Sequence, residues 1–153
     1  MKSFFLSGLR LLALLILVQL LAGCGGTETG NPARPAEQNP VLDLMEAICG
    51  KLASCAEDVV ISDCRLAVME SSDLIGELGT SVGDYSTFID LVLAVDRGLL
   101  DANPDELDLC LATIEALACD SEAVQSVVVE EGGFRNLEQM IPDPQCSSVF
   151  GMP

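Results

Sequence analysis

The amino-acid sequence predicts an all-α fold, a small bundle of about four to six helices stapled by disulfides. Apolar residues recur at helical spacing through most of the chain after Val41, and the roughly 110 residues from that point suit one domain. Six cysteines are spread over the same region. We therefore expect a cysteine-containing helical domain at 41–153, preceded by two segments of different composition, 1–23 and 24–40.

The first two helices of the domain are predicted by their apolar faces. The first face consists of Val41, Met45, Ile48, Leu52 and Cys55, which fall at successive helical spacings. A second helix is expected to begin with Ser62 as its N-cap and to carry Leu66 and Met69 inward.

The next two helices are predicted by an apolar stripe and by a capping pattern. The stripe begins after Ser86 or Thr87, and Gly98 weakens its end. Its members are Phe88, Leu91, Val92, Val95 and Leu99. The clearest helix follows Asn103, because Asn suits the N-cap and Pro104 suits the first helical position. One face of this helix consists of Leu107, Cys110, Leu111, Ile114, Leu117 and Ala118.

The carboxy-terminal part of the domain has a less regular pattern. The three valines 127–129 would suit a strand, but Val124, Val127 and Val128 also fit a helix that Gly132 and Gly133 would stop, and we expect the helix. One more short helix is predicted by Phe134, Leu137 and Ile141, ended by Pro142 and Pro144.

The amino terminus has the features of a secretory leader. Lys2 and Arg10 supply positive charge, and the eleven-residue run Leu11–Leu21 is apolar except for Gln19. At about 1.5 Å per residue a helix of that length covers roughly 16 Å, well short of the ~30 Å hydrocarbon core of a bilayer. We therefore expect residues 1–23 to be a signal peptide and not a membrane span.

The stretch Leu21-Ala22-Gly23-Cys24 resembles the lipobox of bacterial lipoprotein precursors that signal peptidase II processes. The resemblance implies cleavage before Cys24, thioether lipidation of its side chain, and acylation of the new amino terminus with a fatty acid such as palmitate. In that family an Asp after the cysteine retains the protein at the inner membrane, whereas this chain has Gly25. The resemblance thus implies an anchor in the outer membrane of a Gram-negative bacterium, on its periplasmic or surface face. The alternative is an ordinary leader with a coincidental cysteine.

Residues 25–40 are predicted to be a flexible linker that follows the lipidated Cys24. They contain three glycines, three prolines and no large apolar side chain, so they cannot bury enough surface to offset the entropy of ordering. A flexible chain of that length averages ~20–24 Å from end to end. Its opening, GGTETGNP, is similar to the post-cysteine linkers of Gram-negative lipoproteins, which implies no activity.

The chain after residue 23 is strongly acidic. Loss of Lys2 and Arg10 leaves five of the seven basic residues against all 24 acidic residues, a net charge of −19. This charge repels nucleic acid and gives no attraction to anionic lipid. We therefore expect no nucleic-acid partner, and attachment to the membrane through the N-terminal lipid.

The cysteine count predicts three disulfides. With Cys24 assigned to lipid, six cysteines are left, which are Cys49, Cys55, Cys64, Cys110, Cys119 and Cys146. An even number in an exported protein indicates complete pairing, although buried free thiols are the alternative. Fifteen connectivities are possible, and spacing does not choose among them. Our expectation pairs Cys55 with Cys64, Cys119 with Cys146, and Cys49 with Cys110.

A metal or redox site at these cysteines is disfavoured, because the chain contains no histidine and no CxxC motif. The C-x5-C-x8-C and C-x8-C spacings resemble those of small, cysteine-patterned helical envelope lipoproteins. That resemblance implies a stapled helical domain and no particular activity.

Catalytic patterns are weak. The absence of histidine excludes imidazole bases and Ser-His-Asp triads. Ser54 lies one helical turn from Lys51, but Lys51 is more simply a solvated residue beside Glu46 or Glu57. The acid pairs Asp105/Asp108 and Glu130/Glu131 are better explained as solvated helix faces than as the paired carboxylates of a glycosidase.

A calcium loop is only partly matched. Asp101, Asn103 and Asp105 fit the first alternate oxygen ligands of an EF-hand, but the sixth position is Glu106 where Gly is needed, and the twelfth is Ala112 where Glu is needed. A capped helix start explains the same residues. We expect no bound metal and no cofactor.

Together these patterns favour a structural or protein-interaction role at the cell envelope over catalysis. We expect the protein not to be an enzyme and its partner to be an envelope protein, whose identity the sequence does not specify. The alternative is a hydrolase that acts at the envelope through carboxylates alone. An interaction module should expose an apolar patch with few converging charges, whereas such a hydrolase should place two carboxylates face to face in a pocket.

Overall fold

A computed structural model describes residues 38–79, 84–130 and 133–153, without the side chains of 128–130. These residues contain six α-helices, which are α1 (Pro40–Cys55), α2 (Ile61–Glu70), α3 (Asp73–Glu77), α4 (Phe88–Asp96), α5 (Pro104–Ala116) and α6 (Glu122–Ser126). Four short strands and a 3-10 helix (Leu137–Met140) complete the fold. The predicted all-α, disulfide-stapled fold is confirmed. The predicted signal peptide, Cys24 and most of the predicted linker lie outside the described residues.

Helix α1 is the central element, because α2, α4 and α5 all pack against it. The side chains of α1 that are buried are Val41, Leu44, Met45, Ile48, Cys49 and Leu52. This face contains four of the five predicted residues, adds Leu44 and Cys49, which were not predicted, and leaves Cys55 partly exposed. The helix begins at Pro40, and the Asn39 side-chain oxygen accepts a 2.9 Å hydrogen bond from the Val41 N–H. Asn39 and Pro40 thus start the helix, although they fall in the segment predicted as linker.

Helix α2 differs from its prediction in both its start and its inward face. It begins at Ile61 after Val60, so the prediction of Ser62 as N-cap is wrong. Its buried side chains are Cys64 and Val68, four residues apart, which places Leu66 on another side of the helix. Leu66 is 60% exposed, and its predicted burial is wrong because the inward face is fixed by Cys64. Met69 is partly buried against the core, as expected.

Helix α4 begins after Thr87, one of the two predicted positions. The Asp90 carboxylate accepts hydrogen bonds from the Thr87 N–H (2.9 Å) and hydroxyl (3.0 Å). The helix ends in a Schellman motif, in which Gly98 has φ +66°. The Gly98 N–H donates to the Val95 carbonyl, and the Leu99 N–H donates to the Ala94 carbonyl. This reversal takes Leu99 out of the helix. Leu99 is 55% exposed, so its predicted place on the buried stripe is wrong.

Helix α5 confirms the predicted capping pattern. The Asn103 side-chain oxygen accepts from the N–H groups of Asp105 (3.1 Å) and Glu106 (3.4 Å), and Pro104 is the first helical residue. The side chains of α5 that are buried are Leu107, Cys110 and Ile114. The helix stops at Ala116, so the expected continuation of this face through Ala118 is wrong, and Ala118 is exposed.

The region after α6 is a hairpin and not the helix we expected. Strand β2 (Val128–Glu130) pairs antiparallel with β3 (Gly133–Arg135), with Val129 opposite Phe134. The successive β-branched residues of 127–129 restrict side-chain rotamers in a helix and favour a strand, so the alternative interpretation is correct here. Phe134 therefore lies in a strand, and the predicted last helix is reduced to the 3-10 helix, which buries Leu137 and Met140.

The carboxy-terminal segment returns to the start of α5. Strand β1 (Asp101–Ala102) pairs antiparallel with β4 (Phe150–Gly151), and the Asn103 N–H donates to the Val149 carbonyl at 2.8 Å. All the buried side chains in the described part of the chain are hydrophobic. Within the same ranges, none of the helices combines the length and the apolarity needed to cross a bilayer.

Candidate functional site

All six predicted cysteines form disulfides. The bridges join Cys49 to Cys64, Cys55 to Cys119, and Cys110 to Cys146, with Cα separations of 5.7, 5.2 and 4.9 Å. Complete pairing is thus confirmed. The three predicted pairs, Cys55 with Cys64, Cys119 with Cys146, and Cys49 with Cys110, are all wrong.

Helix packing explains the observed connectivity. Cys49 and Cys64 are both fully buried, on the facing sides of α1 and α2. Cys55 is the last residue of α1, and it bonds to Cys119 in the segment that follows α5 because α1 and α5 pack together. The bridge partners are therefore set by which helices touch, and sequence spacing does not contain that information.

An exposed apolar surface lies along α4. We call it the α4 strip and define it as Ile89, Leu93 and Leu99, whose side chains are 45%, 41% and 55% exposed. Ile89 and Leu93 are one helical turn apart and share a face. Leu93 and Leu99 both line a groove of about 320 Å³, together with Tyr85 and Ala94.

The α4 strip is bordered mainly by acidic residues. Asp84, Asp90 and Arg97 line the same groove, so its charged groups are two carboxylates and one guanidinium. The C-terminal half of α4 also contacts the start of the described chain. The Asn39 side-chain amide donates to the Val92 carbonyl (3.0 Å) and to the Asp96 carboxylate (2.7 Å). The first described residues are therefore held against α4.

Lys51 and Ser54 do not form a dyad. The Lys51 ammonium donates to the Glu115 backbone carbonyl at 3.1 Å, and the Ser54 hydroxyl donates to the Lys51 backbone carbonyl at 2.7 Å. Neither hydrogen bond activates the hydroxyl as a nucleophile. Glu46, one of the two acidic residues predicted to lie beside Lys51, lines a surface groove together with Lys51 and Ser54. Its carboxylate pairs with Arg65 at 2.6 Å.

The partial calcium loop has a structural role. The Asn103 side-chain oxygen is used as the helix cap, and Asp101 lies in strand β1 opposite Gly151. In 38–79, 84–130 and 133–153, no three His, Cys, Asp or Glu side chains come together in a way that could hold a metal ion. Asp105 and Asp108 are exposed on α5, and the side chains of the pair Glu130/Glu131 lie outside the described residues.

A second, polar groove of about 470 Å³ lies where α2 and α3 meet the segment from β3 to the 3-10 helix. Glu70, Asp73, Glu138 and Arg135 line it. Glu70 and Asp73 are exposed, and Glu138 is partly buried. Sequence reasoning missed this groove because the two segments that form it are about sixty residues apart in the chain and come together only in the fold.

Comparison of the chain with protein-family models, curated proteins and solved structures finds no match. Of the surface features, the α4 strip is the one that sequence reasoning could have found in part, because Ile89 and Leu93 form an apolar pair outside the predicted stripe. The exposure of Leu99 could not be predicted, because its helical spacing places it on the buried stripe unless the helix is known to end before Gly98.

Proposed function

We propose that this chain is a lipid-anchored envelope protein whose helical domain binds another envelope protein through the α4 strip. The lipobox-like stretch ending at Cys24 and the glycine- and proline-rich segment after it support the anchor. The three disulfides support an oxidising compartment, where such bridges persist.

The α4 strip is the observation that carries the binding role. Single exposed apolar side chains are normal on a protein surface, but here three of them lie on one element and its C-terminal turn, next to a groove. Protein-binding sites have an apolar core surrounded by a polar rim, and most of their energy comes from a few central positions. The strip therefore has the composition expected of the core of a small interface.

The charge of the domain specifies the chemistry of the partner. The groove beside the strip has two carboxylates to one guanidinium, and the chain from Cys24 onward has a net charge of −19. Complementary charge speeds association and excludes acidic partners. We therefore expect a partner surface with apolar side chains flanked by Lys or Arg.

A carboxylate-dependent hydrolase is the less favoured alternative. Such an enzyme needs two carboxylates across an enclosed cleft. Glu70, Asp73 and Glu138 line the polar groove, but only Glu138 is partly buried, and the groove also contains Arg135. This arrangement favours a solvated polar surface, so the geometry supports the interaction module better.

If the chain is anchored in this way, Cys24→Ser should abolish both lipidation and cleavage of the precursor. The serine hydroxyl cannot form the thioether, so the variant should take up no labelled fatty acid and should accumulate as the uncleaved precursor. Metabolic labelling and intact-mass analysis measure both effects. Gly25→Ala is the matched control and should be lipidated and cleaved normally. A wild-type protein that takes up no label, or whose mature amino terminus is a residue other than Cys24, would contradict the anchor.

The interface is tested by photo-crosslinking in the native envelope. A photoreactive amino acid at position 93 or 99 should give the same protein adduct, and the cross-linked peptide should contain apolar residues beside Lys or Arg. Leu99→Ser should weaken the adduct formed from position 93 by about tenfold, the loss expected when ~1.4 kcal/mol of apolar contact is removed.

Position 109 provides the control, because Leu109 is also exposed, at 52%, but lies on α5. Probes at that position should not give the adduct, and Leu109→Ser should leave the adduct from position 93 unchanged. Equal adducts from all three positions, adducts with lipid alone, an acidic cross-linked peptide or no adduct would each contradict the proposed interface. Circular dichroism verifies that the variants keep their helices.

A further inference from the structure

The three disulfides differ in their access to solvent. The four sulfurs of the Cys49–Cys64 and Cys110–Cys146 bridges belong to side chains with no exposed surface. Cys119, by contrast, is exposed, and its partner Cys55 is partly exposed. A thiolate must reach a sulfur atom in order to break a disulfide, so only one of the three bridges can be attacked while the domain is folded.

We propose that the Cys55–Cys119 bridge is a thiol-exchange site that reacts with neutral or cationic thiols, with Cys119 as the sulfur attacked. Cys119 is the more exposed of the two cysteines and lies between α5 and α6, outside any helix. Cys55 is the last residue of α1 and packs partly against the core. An incoming thiolate therefore has a freer path to the sulfur of Cys119.

The exchange reaction balances in two steps. The incoming thiolate forms a bond to Cys119 Sγ, the Cys119–Cys55 bond breaks, and the electron pair leaves on Cys55 Sγ, which then takes a proton from water. A second thiol, or the second sulfur of a dithiol, attacks the sulfur of the first reductant and releases Cys119 as a thiol. The bridge gains two electrons, and the two reductant thiols are oxidised to a disulfide.

The surroundings of Cys55 can hold the thiol that the first step releases. The Ser54 hydroxyl oxygen lies 3.8 Å from Cys55 Sγ. In the bridged state that hydroxyl donates to the Lys51 carbonyl, so its oxygen is left to accept a hydrogen bond. After reduction, the Cys55 S–H group can donate a hydrogen bond to the Ser54 hydroxyl oxygen.

Charge near the bridge determines which thiols react. Five exposed acidic residues lie within four positions of one of the two cysteines, which are Glu57, Asp58, Glu115, Asp120 and Glu122. Lys51 is the only basic residue within the same distance along the chain. The site should therefore attract cationic thiols and repel anionic ones, and dissolved salt should weaken this selectivity.

The domain should keep its fold when this bridge opens. The two buried bridges persist, and the contact between α1 and α5 retains the hydrogen bond from Lys51 to the Glu115 carbonyl. The Gln125 side chain still donates to the Cys119 carbonyl at 2.7 Å, which holds the segment after α5 to α6. Opening is thus a local change at one end of α1.

The experiment compares three small thiols at equal thiolate concentration on the oxidised full chain in detergent. Apart from the sulfur, cysteamine has a cationic ammonium group, 2-mercaptoethanol has no charged group and 2-mercaptoethanesulfonate has an anionic sulfonate. Samples are quenched and alkylated over time, and peptide mass spectrometry locates the adducts and the free thiols. We expect the mixed disulfide at Cys119, free thiols at Cys55 and Cys119 at least tenfold sooner than at the other four positions, and unchanged far-ultraviolet circular dichroism. Cysteamine should react about tenfold faster than the sulfonate at low salt, with the ratio falling in 0.5 M NaCl.

Several results would overturn the proposal. These are simultaneous reduction of all three bridges, earlier reduction of a buried bridge, a mixed disulfide mainly at Cys55, or equal rates for the three thiols. The Cys55→Ser/Cys119→Ser variant is the control for specificity and should take up no thiol on the time scale of the wild-type reaction. Because the wild-type kinetics alone decide the outcome, the test does not depend on the folding of the variant.

Discussion

Reduction of all three disulfides is expected to unfold the helical domain at 37 °C. Each bridge of this kind contributes typically 2–4 kcal/mol, so three contribute ~6–12 kcal/mol against a total stability of ~5–15 kcal/mol for a domain of this size. The bridges close segments of 15, 64 and 36 residues, so together they constrain the unfolded chain from α1 to the carboxy-terminal segment. Far-ultraviolet circular dichroism during heating, with and without a strong reductant, measures the loss.

Quantification of free thiols is needed beside the melting curves, because incomplete reduction would hide the effect. A fully reduced protein that melts within a few degrees of the oxidised form would show that the apolar core is sufficient alone.

Paired replacements provide a second measurement. Cys110→Ala/Cys146→Ala should lower the free energy of unfolding by several kcal/mol, since these side chains are fully buried and join α5 to the carboxy-terminal segment.

Gly79→Ala should lower the free energy of unfolding by about 3 kcal/mol, from backbone strain and steric overlap together. Gly79 follows α3 with φ +101°, a conformation that side-chain-bearing residues rarely adopt. A Cβ atom at this position would also lie far inside van der Waals contact with the Ser147 backbone carbonyl. Ser147 follows Cys146 in the chain, so the displaced backbone is the one that carries a buried disulfide. Urea denaturation without reductant measures the change.

Gly50→Ala is the matched control for this substitution. Gly50 lies inside α1, and no atom outside its own helical turn lies within 4 Å of the place that a Cβ atom would occupy. The same chemical change should therefore stabilise the domain by ~0.5–1 kcal/mol through helix propensity. Opposite signs for the two variants are the expected result. Equal effects would show that the approach of Gly79 to Ser147 does not constrain the fold.

The sequence predicted best where a local rule decides the structure. The start of α5 follows from Asn103 and Pro104, whose roles depend only on the chain within three residues. The inward face of α1 is largely another such case, because a sixteen-residue helix has enough turns for its apolar period to identify four of its six buried residues.

The predictions failed where tertiary contacts decide. Leu66 is exposed because the Cys49–Cys64 bridge fixes which side of α2 faces α1, and no local rule specifies that bridge. Pairing of β2 with β3 overrides the weak helical pattern around Val127. The disulfide partners failed for the same reason, since they require knowledge of which helices are neighbours.

The candidate site was only partly accessible to sequence reasoning. Complete pairing of the six cysteines follows from their number, whereas the exposure of one bridge depends on where Cys119 falls after α5. The α4 strip depends on Gly98 in a similar way. A left-handed glycine ends the helix and turns Leu99 outward, so one backbone angle converts a predicted core residue into part of a surface.

The contacts of Asn39 determine how the domain responds to mechanical tension from its amino-terminal side. A pull on the chain ahead of residue 38 loads the start of α1 and its hydrogen bonds to α4 first. If these break, the chain can extend only as far as Cys49, which is covalently bound to Cys64. Ten residues that pass from helix to extended chain lengthen by roughly 20 Å. Beyond that extension the sulfur–sulfur bond carries the force to Cys64 in α2, so the segment between Cys49 and Cys64 is shielded from further extension.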